Sequence, residues 1–377
     1  MGKVLLGDVA IERKESCKGS KIGYPIVGLE HLVPEEITLS TWDEDCENTF
    51  TKVFRKGDVL FGRRRAYLKK AVVAPFDGIC SGDITVIQAN PERVLPELLP
   101  FIIQNDSLFE FAVGKSAGSL SPRVKWEHLK NFEFELPDMY KQTELAKLLW
   151  SMDDTKKTYQ RLISATDELV KSQFMEMFVI GNPYPRKTLK GYVTQVRGVS
   201  YKPNDLRSSL TEDSILLLRA NNIGEWTLNH YDVQYVSAEK VSSVQLIKKG
   251  DILMCGSSGS LEHIGKTALC PESFAGETFG AFCKLIRAEG SLYPEYIAGY
   301  FRTDEYRKII MQLANGSNIN NLKTEHIDDL QIPIPDEVAQ KKFIALVQQC
   351  DKSKFELEQA LVELNATYKR LIADNLG

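Results

Sequence analysis

The chain has 377 residues, 43% of them hydrophobic and 26% charged, with a formal net charge of −4. That length gives two or three domains with a sizeable core and excludes a small stapled scaffold, while the composition excludes a disordered or collagenous chain. No apolar run is long enough for a membrane span, and Lys3 and Asp8 bring charge too early for a secretory signal, so a cytoplasmic protein with no membrane contact is expected.

In chain order, short strand-like runs at 24–29, 58–62 and 83–88 are punctuated by Gly and Pro and predict a mixed α/β globule. Residues 52–70 hold Lys52, Arg55, Lys56, Arg63, Arg64, Arg65, Lys69 and Lys70 against the single acid Asp58, a local charge of +7 inside an acidic chain. The three arginines fall in a loop after a predicted strand, where guanidinium groups can fork onto phosphate or guanine edges; the plain alternative is a solvated face. Pro137 closes the globule, and about forty residues almost free of Gly and Pro follow. Within them Leu145, Leu149, Met152, Lys156, Tyr159, Ile163, Thr166, Val170, Gln173 and Met177 recur at alternating steps of four and three, which predicts a long helix with a coiled-coil seam.

The second half repeats the plan. Strand-like runs lie at 215–219 and 251–255, and a Pro at 335 precedes a second long helix with the seam Phe343, Val347, Cys350, Lys354, Leu357, Leu361, Leu364, Tyr368, Leu371 and Asn375. Residues 114–178 laid over 312–376 at a constant offset of 198 match at twelve positions, among them Lys125/Lys323, Pro137/Pro335, Asp138/Asp336, Gln142/Gln340, Lys156/Lys354 and Lys171/Lys369. Upstream, Lys56-Gly57-Asp58 pairs with Lys249-Gly250-Asp251 at an offset of 193. The chain is a tandem duplication. An antiparallel helix pair would place one globule at each end, and a 38-residue helix of about 57 Å corresponds to roughly 17 base pairs, so the pair would act as a ruler. The competing arrangement packs each helix on its own globule.

The loop at 255–260 is neutral and rich in Gly and Ser, so Ser257 and Ser258 offer hydroxyls and nearby backbone amides to phosphates. Two Asn-rich patches, Arg219 with Asn221 and Asn222, and 315–321 with Ser317, Asn318 and Asn320, carry amides that can pair with adenine edges; ordinary turns are the alternative. Catalytic motifs fail on inspection. The run 260–267 has Ser260 where a phosphate loop needs its first glycine, 182–185 lacks the cofactor loop of an adenine methyltransferase, and Asp138 with Glu144 and Lys147 has the wrong spacing for a nuclease and opens a helix. The five histidines show no metal-ligand spacing, and the seven cysteines, with no C-x-x-C pair, predict reduced and mostly buried thiols.

Taken together, 55–65, 78–83 and 136–137 in the first half, and 218–223, 249–253, 264–266, 315–318, 330–335 and Gln340 in the second, resemble the specificity subunit of type I restriction–modification systems. The resemblance spans essentially the whole chain, and its force lies in the order and doubled occurrence of short motifs. It implies an α+β tandem duplication: target-recognition domains at 1–138 and 181–335, and conserved helices at 139–180 and 336–377 that pair as an antiparallel coiled coil. It further implies a non-catalytic subunit that binds double-stranded DNA at a bipartite site and positions two modification subunits, with motor-nuclease subunits where the system has them. S-adenosylmethionine is then expected in the modification subunit, with no cofactor or metal in this chain. The residues expected to contact DNA are Arg63, Arg64, Arg65, Lys69, Lys70, Ser119, Arg123 and Lys125 in the first half, and Arg219, Asn221, Asn222, Ser257, Ser258, Lys266, Ser317, Asn318 and Asn320 in the second. Because 118–123 and 316–321 differ, the halves are expected to read different bases. The runner-up is a coiled-coil scaffold or regulator that recruits proteins.

Overall fold

A computed structural model describes residues 2–19, 22–44, 48–118, 120–181, 183–314 and 320–377. The chain divides into two compact units, residues 1–161 with 357–377, and residues 162–356. In the first unit a four-stranded sheet runs in the order Ala10–Glu12, Ile84–Ala89, Val59–Gly62, Ala71–Val73, beside a three-stranded sheet of Ile26–Val27, Gly78–Cys80 and Lys52–Phe54. The second unit has the same sheet order in Val193–Arg197, Cys283–Ala288, Ile252–Cys255, Thr267–Leu269. Each unit also joins its first strand to its last: Gly2–Leu5 pairs antiparallel with Glu133–Leu136, and Arg186–Thr188 with Gln331–Pro333. Strands expected at 24–29 and 83–88 form at Ile26–Val27 and Ile84–Ala89.

The repeated Lys-Gly-Asp is a turn with a buried cap. Gly57 and Gly250 hold φ of 89° and 84°, a region that glycine enters without steric cost. Asp58 accepts from the Arg55 amide at 2.8 Å and Asp251 from the Lys248 amide at 2.8 Å, and each carboxylate is then gripped by an arginine, Arg13 or Arg287. A buried carboxylate needs that pairing, and the turn so fixed launches the central strand of each sheet.

The long helices span Met139–Phe178 and Glu337–Leu376. Asp138 and Asp336, each following a proline, cap them by accepting from the amides of Lys141 at 3.0 Å and Ala339 at 2.8 Å. Four residues on, Gln142 and Gln340 are buried and do one job twice. Each accepts from a loop amide (Leu95, Tyr293) and donates to the carbonyl of the closing proline. In the first unit the start of the first helix (Leu145, Ala146, Leu149) shares a core with the end of the second (Ile372, Leu376). In the second unit Val170, Phe174 and Phe178 share a core with Phe343, Val347 and Cys350. Start lies with end, so the helices pair antiparallel, and each paired segment also packs on a globule. Met152 is buried, whereas Tyr159, Ile163, Leu357, Leu361 and Leu364 are half-buried, as a two-helix seam leaves them. Close packing shows at Gly299, where a Cβ would meet the Phe343 ring at 2.4 Å.

Candidate nucleic-acid interface

After the strand Val59–Gly62 the arginine loop is laid against a second segment from 117–124. The Arg65 amide donates to the Pro122 carbonyl at 2.8 Å, the Val124 amide to the Arg63 carbonyl at 3.0 Å, and Arg64 bridges Arg123 in antiparallel register. A third strand end joins them, with the Arg63 amide donating to the Asp83 carbonyl at 3.0 Å. Two of the side chains converge on the Asp83 carboxylate: Arg123 binds it bidentately at 2.7 and 3.1 Å, and Arg64 lies at 3.7 Å while donating to Ser121 Oγ at 2.5 Å. The Arg123 donors hold the Asp83 carboxyl below the ordinary carboxylate range. Three arginines, Arg123, Arg64 and Arg63, thus act on one carboxylate, and Arg65 is exposed beside them in the chain at a φ of 55°. Guanidinium groups fixed in place by a carboxylate lose less freedom on meeting a phosphate or base edge than free ones. Tyr67 (55% exposed) and Leu120 (91% exposed) add apolar surface to the same two segments.

The second unit builds the same ledge from different residues. The Leu322 amide donates to the Gly256 carbonyl at 2.8 Å, the Gly256 amide to the Phe282 carbonyl at 2.8 Å, and Ser257 and Ser258 pair with Asn321 and Asn320. Register makes Ser257 the counterpart of Arg64, Asn321 of Arg123 and Phe282 of Asp83. Where the first ledge is cationic, the second is neutral, with hydroxyls, an exposed Asn321 and a Phe282 that is 70% exposed.

Other expected contacts land elsewhere. Lys69 is tied to Asp106 at 2.5 Å and Lys70 to the Leu29 carbonyl at 2.7 Å, and Lys52 and Arg55 of the basic run are matched by Glu12, Glu15 and Asp77. The +7 counted along the chain is therefore largely neutralised in space. Lys125 is exposed beside the short helix Trp126–Leu129. Arg219 is paired with Asp232 at 2.7 Å, and Asn221 is exposed next to it. Asn222 requires a correction: it is fully buried, accepts from the Arg219 amide at 2.8 Å and donates to the Tyr231 carbonyl at 2.7 Å, so it caps a turn instead of offering its amide to a base. Lys266 lines a cavity of about 280 Å³ with Trp226, Arg302 and Arg307. Ser119, Ser317 and Asn318 lie outside the described residues, as does the side chain of Asn320. Asn321 falls in the Asn-rich patch 315–321, whereas sequence reasoning missed the part played by Asp83, Ser121 and Phe282; the correspondence of the two ledges was present as a signal, since Arg123 and Asn321 stand at the 198 offset and Arg64 and Ser257 at the 193 offset.

The rejected motifs fall into structural roles. The run 260–267 ends in the strand Thr267–Leu269, with no helix N-terminus to receive a phosphate. Glu30, His31 and Asp43 bring one potential metal-ligand atom each within 4.8 Å, though His31 Nδ1 is engaged by the Gly28 amide. Among the described residues no helix is long and apolar enough to cross a membrane.

Comparison with known proteins follows the same lines. A family model for the type I restriction modification DNA specificity domain matches residues 3–165 and 207–365. Over 171 residues, 44% of this chain, the sequence is 38% identical to the type I restriction enzyme StySPI specificity subunit of Salmonella potsdam and 37% identical to the EcoKI specificity subunit of Escherichia coli strain K12. Those alignments cover 36% of each relative's length. Among solved structures, the S subunit of a type I restriction-modification system from M. genitalium matches with a TM-score of 0.57 at 12% identity, covering 98% of this chain and 94% of that one. A chain from a study of complex assembly and conformational transition in the type I R-M system matches with a TM-score of 0.57 at 18% identity, covering 99% and 97%. At these identities the structural likeness shows the fold.

Proposed function

The chain belongs to the type I restriction modification DNA specificity domain family, and on that premise we propose that it is the subunit that reads a bipartite, asymmetric DNA site while catalysing nothing itself. The observation that carries this reading is the pair of ledges, one backbone frame per unit dressed with Arg64 and Arg123 in one and Ser257 and Asn321 in the other. A shared frame suits a shared task, presentation to a DNA groove, and unlike side chains suit two unlike half-sites. In the first unit Arg63, Arg64, Arg65 and Arg123 engage phosphates and guanine edges; in the second, hydroxyls and amides read bases beside the exposed Phe282. The catalytic work falls to two modification subunits, which supply S-adenosylmethionine and methylate adenine, and to motor-nuclease subunits where the system includes them. The task is performed on cytoplasmic DNA.

The test is binding of the assembled complex to duplex DNA as a function of salt. Changing Arg63, Arg64 and Arg65 together to Ala weakens the first half-site and lowers the slope of log affinity against log salt by about one for each phosphate contact removed. An unchanged slope refutes the assignment. Salt-insensitive protein binding with no affinity for DNA transfers the function to a scaffold.

A further inference from the structure

The duplication supplies an internal control for each polar contact on the long helices. In the second unit Lys354 Nζ donates to Asp167 Oδ2 at 2.7 Å, with the two side chains 12% and 13% exposed. The same layer of the first unit has Lys156 for the lysine and, at the 198 offset, Asn365 where the carboxylate stands. One turn on, Val170 of the second unit is replaced by Tyr368, whose hydroxyl is buried without a hydrogen-bond partner. The first unit keeps the ammonium, loses the acid and gains a donor.

Space and charge agree with that exchange. Glu35, Lys156, Asn365 and Tyr368 together line two cavities, one of about 70 Å³ that also reaches Lys69 and Lys369, the other of about 20 Å³ that also reaches Asp153. Three ion pairs surround them: Lys369 with Glu35 at 2.8 Å, Lys69 with Asp106 at 2.5 Å and Lys157 with Asp153 at 2.6 Å. Lys156 has no carboxylate partner among the described residues; it donates to the Glu35 carbonyl at 2.9 Å. Glu35 is held at a φ of 62°, a left-handed conformation that a non-glycine residue adopts at a cost and that clusters at binding sites. The site is one negative charge short, and it holds unspent donors on Lys156, Asn365 and Tyr368.

We propose that this site binds a single carboxylate supplied from outside the unit, seated in the cavity beside Asn365, where it supplies the charge that Asp167 supplies in the second. The missing charge is one, the donors suit two acceptor oxygens, and a cavity of about 70 Å³ admits a carboxylate with a methyl or methylene group but no nucleotide. The carboxylate is either a small free acid or the side chain of an acidic residue on a bound protein.

The test uses the full chain and thermal unfolding in sodium acetate against sodium chloride at matched ionic strength. Acetate raises the unfolding temperature of the wild type relative to chloride. Asn365→Asp, which rebuilds the internal pair, is more stable in chloride and no longer responds to acetate; Lys156→Met also loses the response, and Lys354→Met in the second unit retains it. A wild type that ignores acetate, but whose Asn365→Asp variant assembles less well with the modification subunit while DNA contacts are intact, assigns the carboxylate to a protein side chain. That arm rests on the partner proposed above, whereas the acetate arm does not. An equal acetate response in wild type and Asn365→Asp, or no response with assembly unaltered, overturns the proposal.

Discussion

Asn222→Ala separates a turn cap from a base reader. Asn222 is 0% exposed, and its amide satisfies the Arg219 N–H at 2.8 Å and the Tyr231 carbonyl at 2.7 Å. Alanine removes both partners and lets neither be replaced by bulk water without opening the turn, so each stranded group costs about 1–2 kcal/mol and the pair about 2–3 kcal/mol. For a unit the size of residues 162–356, that lowers the midpoint of thermal unfolding by about 5–10 °C. Asn221→Ala, one residue away on an exposed side chain with a single long contact of 3.5 Å to the same carbonyl, stays within about 0.5 kcal/mol of wild type. Differential scanning calorimetry of the three proteins reads the stability, and duplex binding at a temperature where all are folded reads the function. Asn222→Ala should bind the second half-site as wild type does. Wild-type stability together with a binding loss of about 1–3 kcal/mol, the worth of a bidentate base contact, would refute the capping assignment.

Two further outcomes follow from titration. Burial pushes the thiols of Cys80 and Cys270 up to about 12 and that of Cys255 up to about 11, leaving roughly one part in 10⁴ to 10⁵ as thiolate at neutral pH. Iodoacetamide should leave all three unmodified in the folded chain and alkylate them after denaturation, as read by peptide mass spectrometry; rapid native labelling of Cys255 would mean that the second ledge opens. The Asp83 carboxyl is held low by Arg123, so this pair's contribution is complete above the ordinary carboxylate pKa near 4 and is lost as pH falls through the lower folded value. Arg123→Met is therefore less stable than wild type at neutral pH, and urea midpoints of the two proteins converge in acid; a gap that persists unchanged at the acid end would locate the effect in packing.

Periodicity and repetition made the long helices legible almost to the residue, since Met139–Phe178 and Glu337–Leu376 fall inside the Gly- and Pro-poor stretches that follow Pro137 and Pro335. Asp138 and Gln142 were legible as repeated letters, and their capping and bracing roles needed coordinates. Charge was the least legible property. Residues 52–70 sum to +7 along the chain, but Arg55 meets Glu15 and Asp77, and Lys69 meets Asp106, because the fold brings acids from distant loops and a helix start to face the basic run. Nor could spacing foretell that Arg123 and Asp83, forty residues apart, would form the centre of the first ledge. Such a pair is made by sheet order, in which Ile84–Ala89 lies beside Val59–Gly62, and sheet order is not written in any local window.

A duplicated chain adds a kind of evidence that a single domain lacks. Positions identical in both copies (the prolines and aspartates at the helix starts, Gln142 and Gln340, the Lys-Gly-Asp turns) prove to be caps, braces and buried ion pairs, as selection on one shared frame requires. The informative positions are those where the frame is kept and the residue is not. At the ledge, Arg64, Arg123 and Asp83 become Ser257, Asn321 and Phe282 while the three segments stay hydrogen-bonded in the same order, so the backbone frame does not itself require the arginines. At the helix layer, Asp167 and Val170 become Asn365 and Tyr368 beside an unchanged lysine, and the cavity and the uncompensated charge appear together in the copy that lost the acid. Both contrasts use one unit as the reference for the other, because the backbone frame at the position is shared and the side chain differs.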